Sequence, residues 1–181
     1  MMASEKRGCH VMLSYCWSDN QELIKKIKTA LNKRGFQTWM DLDQMSGNIN
    51  KAMAEGVEGA YAVLMCVGQK YMKSRNCEKE AGYADSKQKP IITVIVERGL
   101  VLEGWAGVIN GSRLYYDFSD QSNFDSKLNE LVKALEPIKR ATEYKPSDVD
   151  IKPRSQSRRK SEKERLAQLA AAQLGEFDLQ G

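Results

Sequence analysis

The side chains best suited to chemistry in this sequence are few, and each also has a plain structural reading. His10 is the single histidine. A Ser-His-Asp arrangement built on it would fall at the start of a strand, the wrong end of an α/β sheet, so a structural role is expected. Cys9, Cys16, Cys66 and Cys77 form no CxxC pair and have no metal-ligand spacing. Cys66 lies within an apolar run and is expected to fill the core. Glu78 and Glu80 fall on a helical stretch, where the bland role of a carboxylate is a solvated face. Trp17 follows the first apolar run, where its alternatives are packing beneath a neighbouring loop or stacking on a flat ligand ring. Trp39, Tyr115 and Tyr116 fall on strand segments and are expected in the core.

These residues must be positioned by elements that alternate along the first 138 residues. His10 to Ser14 reads as a buried strand. Asn20 to Lys33 reads as a helix with Leu23, Ile24, Ile27 and Leu31 on one face, capped by Asp19 or Asn20 and followed by Gly35. Phe36 to Asp41 predicts a second strand and Asn48 to Val57 a second helix. Ala60 to Val67 is a fully apolar third strand, and Asn76 to Lys87 a third helix stopped by Pro90. Ile91 to Val96 is a fourth strand, Arg113 to Tyr116 a fifth, and Asn123 to Leu135 a closing helix. The segment 99–112 stays open, with Trp105 and Val108 as its anchors.

Continuous rather than alternating hydrophobicity in the third and fourth strands predicts a parallel sheet covered on both faces. Right-handed crossovers favour a flavodoxin-like, five-stranded sheet in the order 2-1-3-4-5. In that order the topological switch point lies between strands one and three. A ligand is then expected beyond their carboxyl ends, against Tyr15–Asn20, Val67–Ser74 and the loop after strand two.

A chain of 181 residues that is 41% hydrophobic holds one ordinary core and a tail. Too few cysteines for a disulfide framework point to a reducing compartment. The charged Met1–Gly8 segment lacks the apolar core of a secretion signal, and no run approaches membrane-spanning length. A soluble cytoplasmic protein is therefore expected. Residues 139–165 hold ten basic and five acidic side chains, whereas residues 1–138 hold eighteen and seventeen. The excess charge belongs to the tail, and no nucleic-acid partner is expected for the domain. The expected organisation is an N-terminal tail over 1–8, a domain over 9–138, a basic disordered linker over 139–160, and a short helix with tail over 161–181. Ser161 to Glu164 matches a capping box ahead of that last helix. Arg158, Arg159 and Lys160 read as a solvated charge cluster.

Several segments, taken in order, resemble the TIR (Toll/interleukin-1 receptor) domain family. Val11–Tyr15 (VMLSY) is similar to the family's first strand, and Gly35–Asp41 (GFQTWMD) to its second. Leu42–Asn50 occupies the place of the variable BB loop, with Gly47 as its glycine. Ser74–Glu80 (SRNCEKE) resembles the Ser-x-x-Cys-x-x-Glu opening of the third helix, and Gly104-Trp105 a Trp motif. Two other flavodoxin-like families fit poorly. A phospho-receiver needs acidic residues after strand one and an Asp ending strand three, and a flavodoxin needs a phosphate loop where Tyr15–Ser18 stands.

The resemblance implies either an enzyme that cleaves the nicotinamide–ribose bond of NAD+ or a non-catalytic adaptor acting through TIR–TIR contact. For the enzyme, Glu80 matches the catalytic glutamate, and it would stabilise an oxocarbenium-like ribose as neutral nicotinamide leaves. NAD+ would be the substrate, with no cofactor and no metal, and the products would be nicotinamide and ADP-ribose or a cyclic form. Ser14, Tyr15, Cys16 and Trp17 are expected to line the pocket, Trp17 by stacking on nicotinamide or adenine, with Asp43, Ser46 and Gly47 contributed by the BB loop. Catalytic relatives often carry Arg or an aromatic residue near Trp17. Cys16-Trp17 departs from the basic version, leaving Lys51, Lys70, Lys73 and Arg75 as candidates for the pyrophosphate. The family further implies innate-immune or stress signalling and activation by self-association, with the BB loop Leu42–Asn50 contacting a second copy or another TIR domain.

Overall fold

The computed structural model describes residues 9–40 and 48–143. The expectations placed on residues 1–8, on Asp43, Ser46 and Gly47, and on the tail beyond residue 143 lie outside the described residues. In chain order the elements are β1 (His10–Tyr15), α1 (Gln21–Lys33), β2 (Thr38–Trp39), α2 (Ile49–Glu58), β3 (Ala60–Val67) and α3 (Gln69–Lys73). There follow α4 (Arg75–Ser86), β4 (Ile91–Ile95), α5 (Gly104–Asn110), β5 (Tyr115–Asp117) and α6 (Phe124–Glu143).

The strands form one sheet in the order β2-β1-β3-β4-β5. Every pairing is parallel. Every residue of β1 and β3 is buried, as central strands flanked on both faces require. One face packs Val11, Leu13 and Leu64 against α1 and α6, through Leu23, Ile24, Ile27, Leu31, Leu128, Leu131 and Leu135. The other packs Met12, Val63, Met65 and Val67 with Val57 of α2, Tyr71 of α3 and Cys77, Ala81 and Ala84 of α4. Burying the four apolar side chains of α1 removes the driving force for any other helix phase, at roughly 1.5–3 kcal/mol each. Asn20 caps that helix by accepting from the Leu23 N–H at 3.3 Å.

The differences from the sequence expectations have local causes. The second strand is Thr38–Trp39, with Phe36 and Met40 buried on either side, and Asp41, the end of the expected strand, lies outside the described residues. The short α3 carries no signal of its own in the sequence, since Gly68 gives it no side-chain cap. Val108, expected as an anchor of the 99–112 segment, is 81% exposed. Of the two expected anchors it is Trp105 that holds α5, by donating to the Met72 carbonyl at 2.8 Å and packing on the Tyr71 ring. On the edge strand β5, Tyr115 is exposed and only Tyr116 touches the core. The last helix also runs past Leu135 and through Pro137 to Glu143. Ile138 packs on the core, and Lys139 donates to the Gly35 carbonyl at 2.9 Å, so these contacts outweigh the one backbone bond that proline removes.

Candidate active site at the switch point

The carboxyl ends of β1 and β3 lie side by side, with Tyr15 opposite Cys66 in the register. The loops leaving them are tied together by Asp19. Its carboxylate accepts from the backbone N–H of Tyr71 at 2.8 Å and of Lys70 at 3.3 Å. An acceptor from the β1 loop thus caps α3 from roughly fifty residues away. Because Asn20 caps α1, Asp19 is released for this role. The fit is tight: a Cβ on Gly68 would lie 2.6 Å from the Asp19 carboxyl carbon. Lys70 adds a second tie by donating from Nζ to the Ser18 carbonyl at 3.1 Å. Glu97, beyond β4, accepts from the Gln69 N–H at 2.8 Å and holds α3 from the other side.

Beneath these loops lies a small buried polar cluster. The Ser14 and Tyr71 hydroxyls are 2.7 Å apart, and both side chains are fully buried. Ser74 caps α4 by accepting from the Cys77 N–H at 3.3 Å. Cys77 then turns inward and donates its thiol to the Tyr15 carbonyl at 3.6 Å. Glu80 lies three residues further on, one turn along the same helix face. That spacing gives the Ser-x-x-Cys-x-x-Glu segment a physical meaning: cap, anchor to β1, and a half-buried carboxylate one turn further on.

Burial dominates the electrostatics of this cluster, with the Glu80 charge adding to it. Burial pushes the Cys66 thiol up to about 12, and the Glu80 charge adds to the effect. The Tyr71 phenol is raised well above its ordinary value by burial first and by Glu80 second. Cys77 is also raised to about 12, chiefly by burial. Glu80 is half-buried, whereas Glu78 on the neighbouring helix face is exposed.

The expected pocket residues are distributed unevenly about this point. Ser14 faces the α4 side with Tyr71, and Cys16 packs partly against the same cluster. The Tyr15 ring belongs to the opposite cluster, with α1 and α6. Trp17, two residues past the end of β1, is 45% exposed. Lys51, Lys70, Lys73 and Arg75 are all exposed. Sequence reasoning does not single out Asp19, Tyr71 and Trp105 for the site, since their contacts join segments distant along the chain. A groove of about 620 Å³ between α1 and α6, with Lys25, Lys26, Lys33 and Arg34 on its walls, shares no residue with the switch point. The crevice is the better candidate because it combines a buried polar cluster with a half-buried carboxylate.

Comparison with known proteins bears on this geometry. Among solved structures, the chain is similar to the TIR domain of the Toll-related receptor TRR-2 from Hydra magnipapillata. The TM-score is 0.57 at 16% identity, over 69% of this chain and 96% of that one. It is also similar to the TIR domains of the activated Roq1 resistosome that recognises the pathogen effector XopQ. There the TM-score is 0.51 at 15% identity, over 71% and 99% of the two chains. A third similar structure is the CMP N-glycosidase BcmB of Clostridium botulinum, with a TM-score of 0.51 at 18% identity over 67% and 98%. No curated protein matches. At these identities the structures speak for the fold alone, but the family model described as TIR domain matches residues 11–132. The chain belongs to the TIR domain family.

Proposed function

We propose that this TIR domain is an NAD+ nucleosidase whose catalytic residue is Glu80. The observation that supports the reading is that Glu80 is half-buried on α4, one turn beyond the Cys77 thiol that donates to the Tyr15 carbonyl at the end of β1. The reaction asks little more of the protein. Nicotinamide leaves NAD+ as a neutral base, taking the electron pair of the C1′–N bond, and the ribose is left with oxocarbenium character. A half-buried, preorganised carboxylate stabilises that cation more than it would in bulk water. Water at C1′ then gives ADP-ribose, and attack by an adenine nitrogen gives a cyclic product. NAD+ is the substrate in this reading, with no resident cofactor. Trp17 offers an exposed ring for stacking on a base. Lys73 and Arg75, exposed on α3 and at the start of α4, are the candidates for the pyrophosphate in this reading.

One protein of the same fold is named as an N-glycosidase acting on CMP, so the scaffold is compatible with cleavage of an N-glycosidic bond. Self-association through the BB loop Leu42–Asn50, in cytoplasmic innate-immune or stress signalling, belongs to the same proposal. No helix among the described residues is long and apolar enough to cross a membrane. The test is nicotinamide release from NAD+ by the purified chain, measured against protein concentration, for wild type, Glu80→Gln and Glu78→Gln. Wild type and Glu78→Gln should turn over, with activity per molecule rising as oligomers form, and a folded Glu80→Gln should not. Turnover in Glu80→Gln refutes the assignment. No turnover by wild type at concentrations where it assembles identifies the adaptor instead.

A further inference from the structure

At the opposite end of the sheet, where β1 begins, Cys9 and His10 form a pair that the NAD+ chemistry does not use. His10 is 8% exposed and stacks on Trp39, with ring centroids 6.1 Å apart. Its Nε2 lies 2.9 Å from the Gly56 carbonyl oxygen. Gly56 belongs to the last turn of α2, whose carbonyls lack partners within the helix. A carbonyl only accepts, so Nε2 must carry the proton, and in a neutral imidazole Nδ1 then keeps its lone pair. Burial, aided by the Lys89 charge, holds the ring below its ordinary 6.5 and so keeps it neutral near pH 7. The Cys9 Sγ lies 3.5 Å from that Nδ1, placed to donate to it. The helix-capping contact therefore also fixes the tautomer that turns a base toward a thiol.

Cys9 is exposed, whereas Cys66 and Cys77 are buried. It borders a depression of about 450 Å³ whose walls include Gln37, Tyr61, Lys139 and Glu143. Tyr61 is only 7% exposed. Its buried hydroxyl has no hydrogen-bond partner among the described residues, an arrangement native structures rarely leave uncompensated. The phenol is raised to about 12, by burial first and then by the charges of Glu143 and Cys9, which line the same depression.

We infer that this depression is a thiol-modification site, where Cys9, with His10 Nδ1 as proton acceptor, undergoes exchange with a small peptide disulfide. The walls define the class of reagent. The Tyr61 hydroxyl offers a donor to an amide carbonyl. Lys139 and Glu143, with their charged groups 3.9 Å apart, offer both signs to the ends of a zwitterionic peptide. In the exchange the Cys9 S–H bond and the reagent's S–S bond break, and a new S–S bond joins Cys9 to one half of the reagent. The proton passes to Nδ1 and on to the departing thiolate. The Cys9 sulfur is oxidised and the departing sulfur reduced, so no further reagent is needed.

The experiment incubates the full chain with oxidised glutathione and, separately, with 2-hydroxyethyl disulfide, and follows each cysteine by intact mass and peptide mapping. Oxidised glutathione should modify Cys9 of the native chain before Cys16, and at least about tenfold faster than Cys9 of the urea-unfolded chain. A folded His10→Gln should lose that acceleration with both reagents. Tyr61→Phe, which removes only the unpartnered hydroxyl and so should fold, is expected to slow oxidised glutathione while sparing 2-hydroxyethyl disulfide. A native Cys9 no faster than the unfolded one, a folded His10→Gln at the wild-type rate, or a Tyr61→Phe that treats the two reagents as wild type does, each overturns the site.

Discussion

The Asp19 bridge makes a quantitative prediction about how the site is held. Asp19→Ala removes two backbone hydrogen bonds to a charged acceptor, at 2.8 and 3.3 Å. Only the shorter has good geometry, so the expected loss is about 2 kcal/mol. Gly68→Ala attacks the same contact from the other side. Gly68 has φ −125° and ψ −177°, extended backbone that any residue adopts, so conformational strain does not enter. The added Cβ would lie 2.6–2.8 Å from three carboxyl atoms of Asp19, its nearest neighbours. Either the loop shifts or the carboxylate swings away and forfeits its bonds, again at about 2 kcal/mol. In the Asp19→Ala background the Cβ meets no carboxylate, and Gly68→Ala should then add little. The double variant should cost about 2 rather than about 4 kcal/mol, a coupling of about 2 kcal/mol. Urea unfolding of the four proteins, by circular dichroism and fluorescence, measures the cycle. Costs that add to within about 0.5 kcal/mol would refute the bridge.

Three further outcomes are expected. Glu80→Gln, which keeps the side chain's size and hydrogen-bonding capacity, should still fold cooperatively in urea, so that its loss of nicotinamide release reports chemistry rather than unfolding. Gly56→Ala should destabilise by about 1–3 kcal/mol, because its Cβ would meet the Trp39 ring at 2.6 Å; a neutral urea midpoint would show that the ring moves aside freely. Stability should fall as pH rises from about 9 toward 12. The Cys66 and Cys77 thiols, ordinarily 9.0, and the Tyr61 phenol, ordinarily 10.0, are all raised to about 12 by burial. Above their ordinary values the unfolded chain sheds these protons while the folded chain keeps them, at up to about 1.4 kcal/mol per pH unit for each group. Cys66→Ala should make that alkaline slope shallower, and an unchanged slope would contradict the assignment.

The parts of the fold that sequence alone reveals are those fixed by local periodicity. Ala60–Val67 and the apolar face of α1 carry their structural instructions within a single segment, and the strand order follows from handedness once the alternation is recognised. The misread elements depend on partners elsewhere. The α3 turn has no cap of its own and borrows Asp19. Val108 has the hydrophobicity of an anchor, but the geometry of a seven-residue helix leaves it facing outward while Trp105 takes the contact with Met72 and Tyr71. Pro137 ordinarily marks a helix end, yet Ile138 and Lys139 find partners on the core and on Gly35, and those partners are invisible to a window of neighbouring residues.

The same division runs through the candidate site. Ser74, Cys77 and Glu80 are legible together because the segment resembles the Ser-x-x-Cys-x-x-Glu opening of the TIR third helix, and in the fold they become a cap, an inward anchor and a half-buried carboxylate. Ser14 and Tyr15 are adjacent in sequence but point to opposite faces of the sheet, as period-two alternation requires, so only Ser14 can reach Tyr71. A motif read as a string groups neighbours, whereas a parallel sheet sorts them by parity and joins residues from different loops. The resulting constellation of Asp19, Tyr71, Ser14 and Cys77 holds the ends of β1 and β3 at a fixed separation. In the proposed reaction, where a carboxylate acts by standing near a developing cation, that fixed separation would limit reorganisation. The Asp19→Ala and Gly68→Ala variants should therefore lower nicotinamide release even while folded, although neither residue belongs to the reacting group.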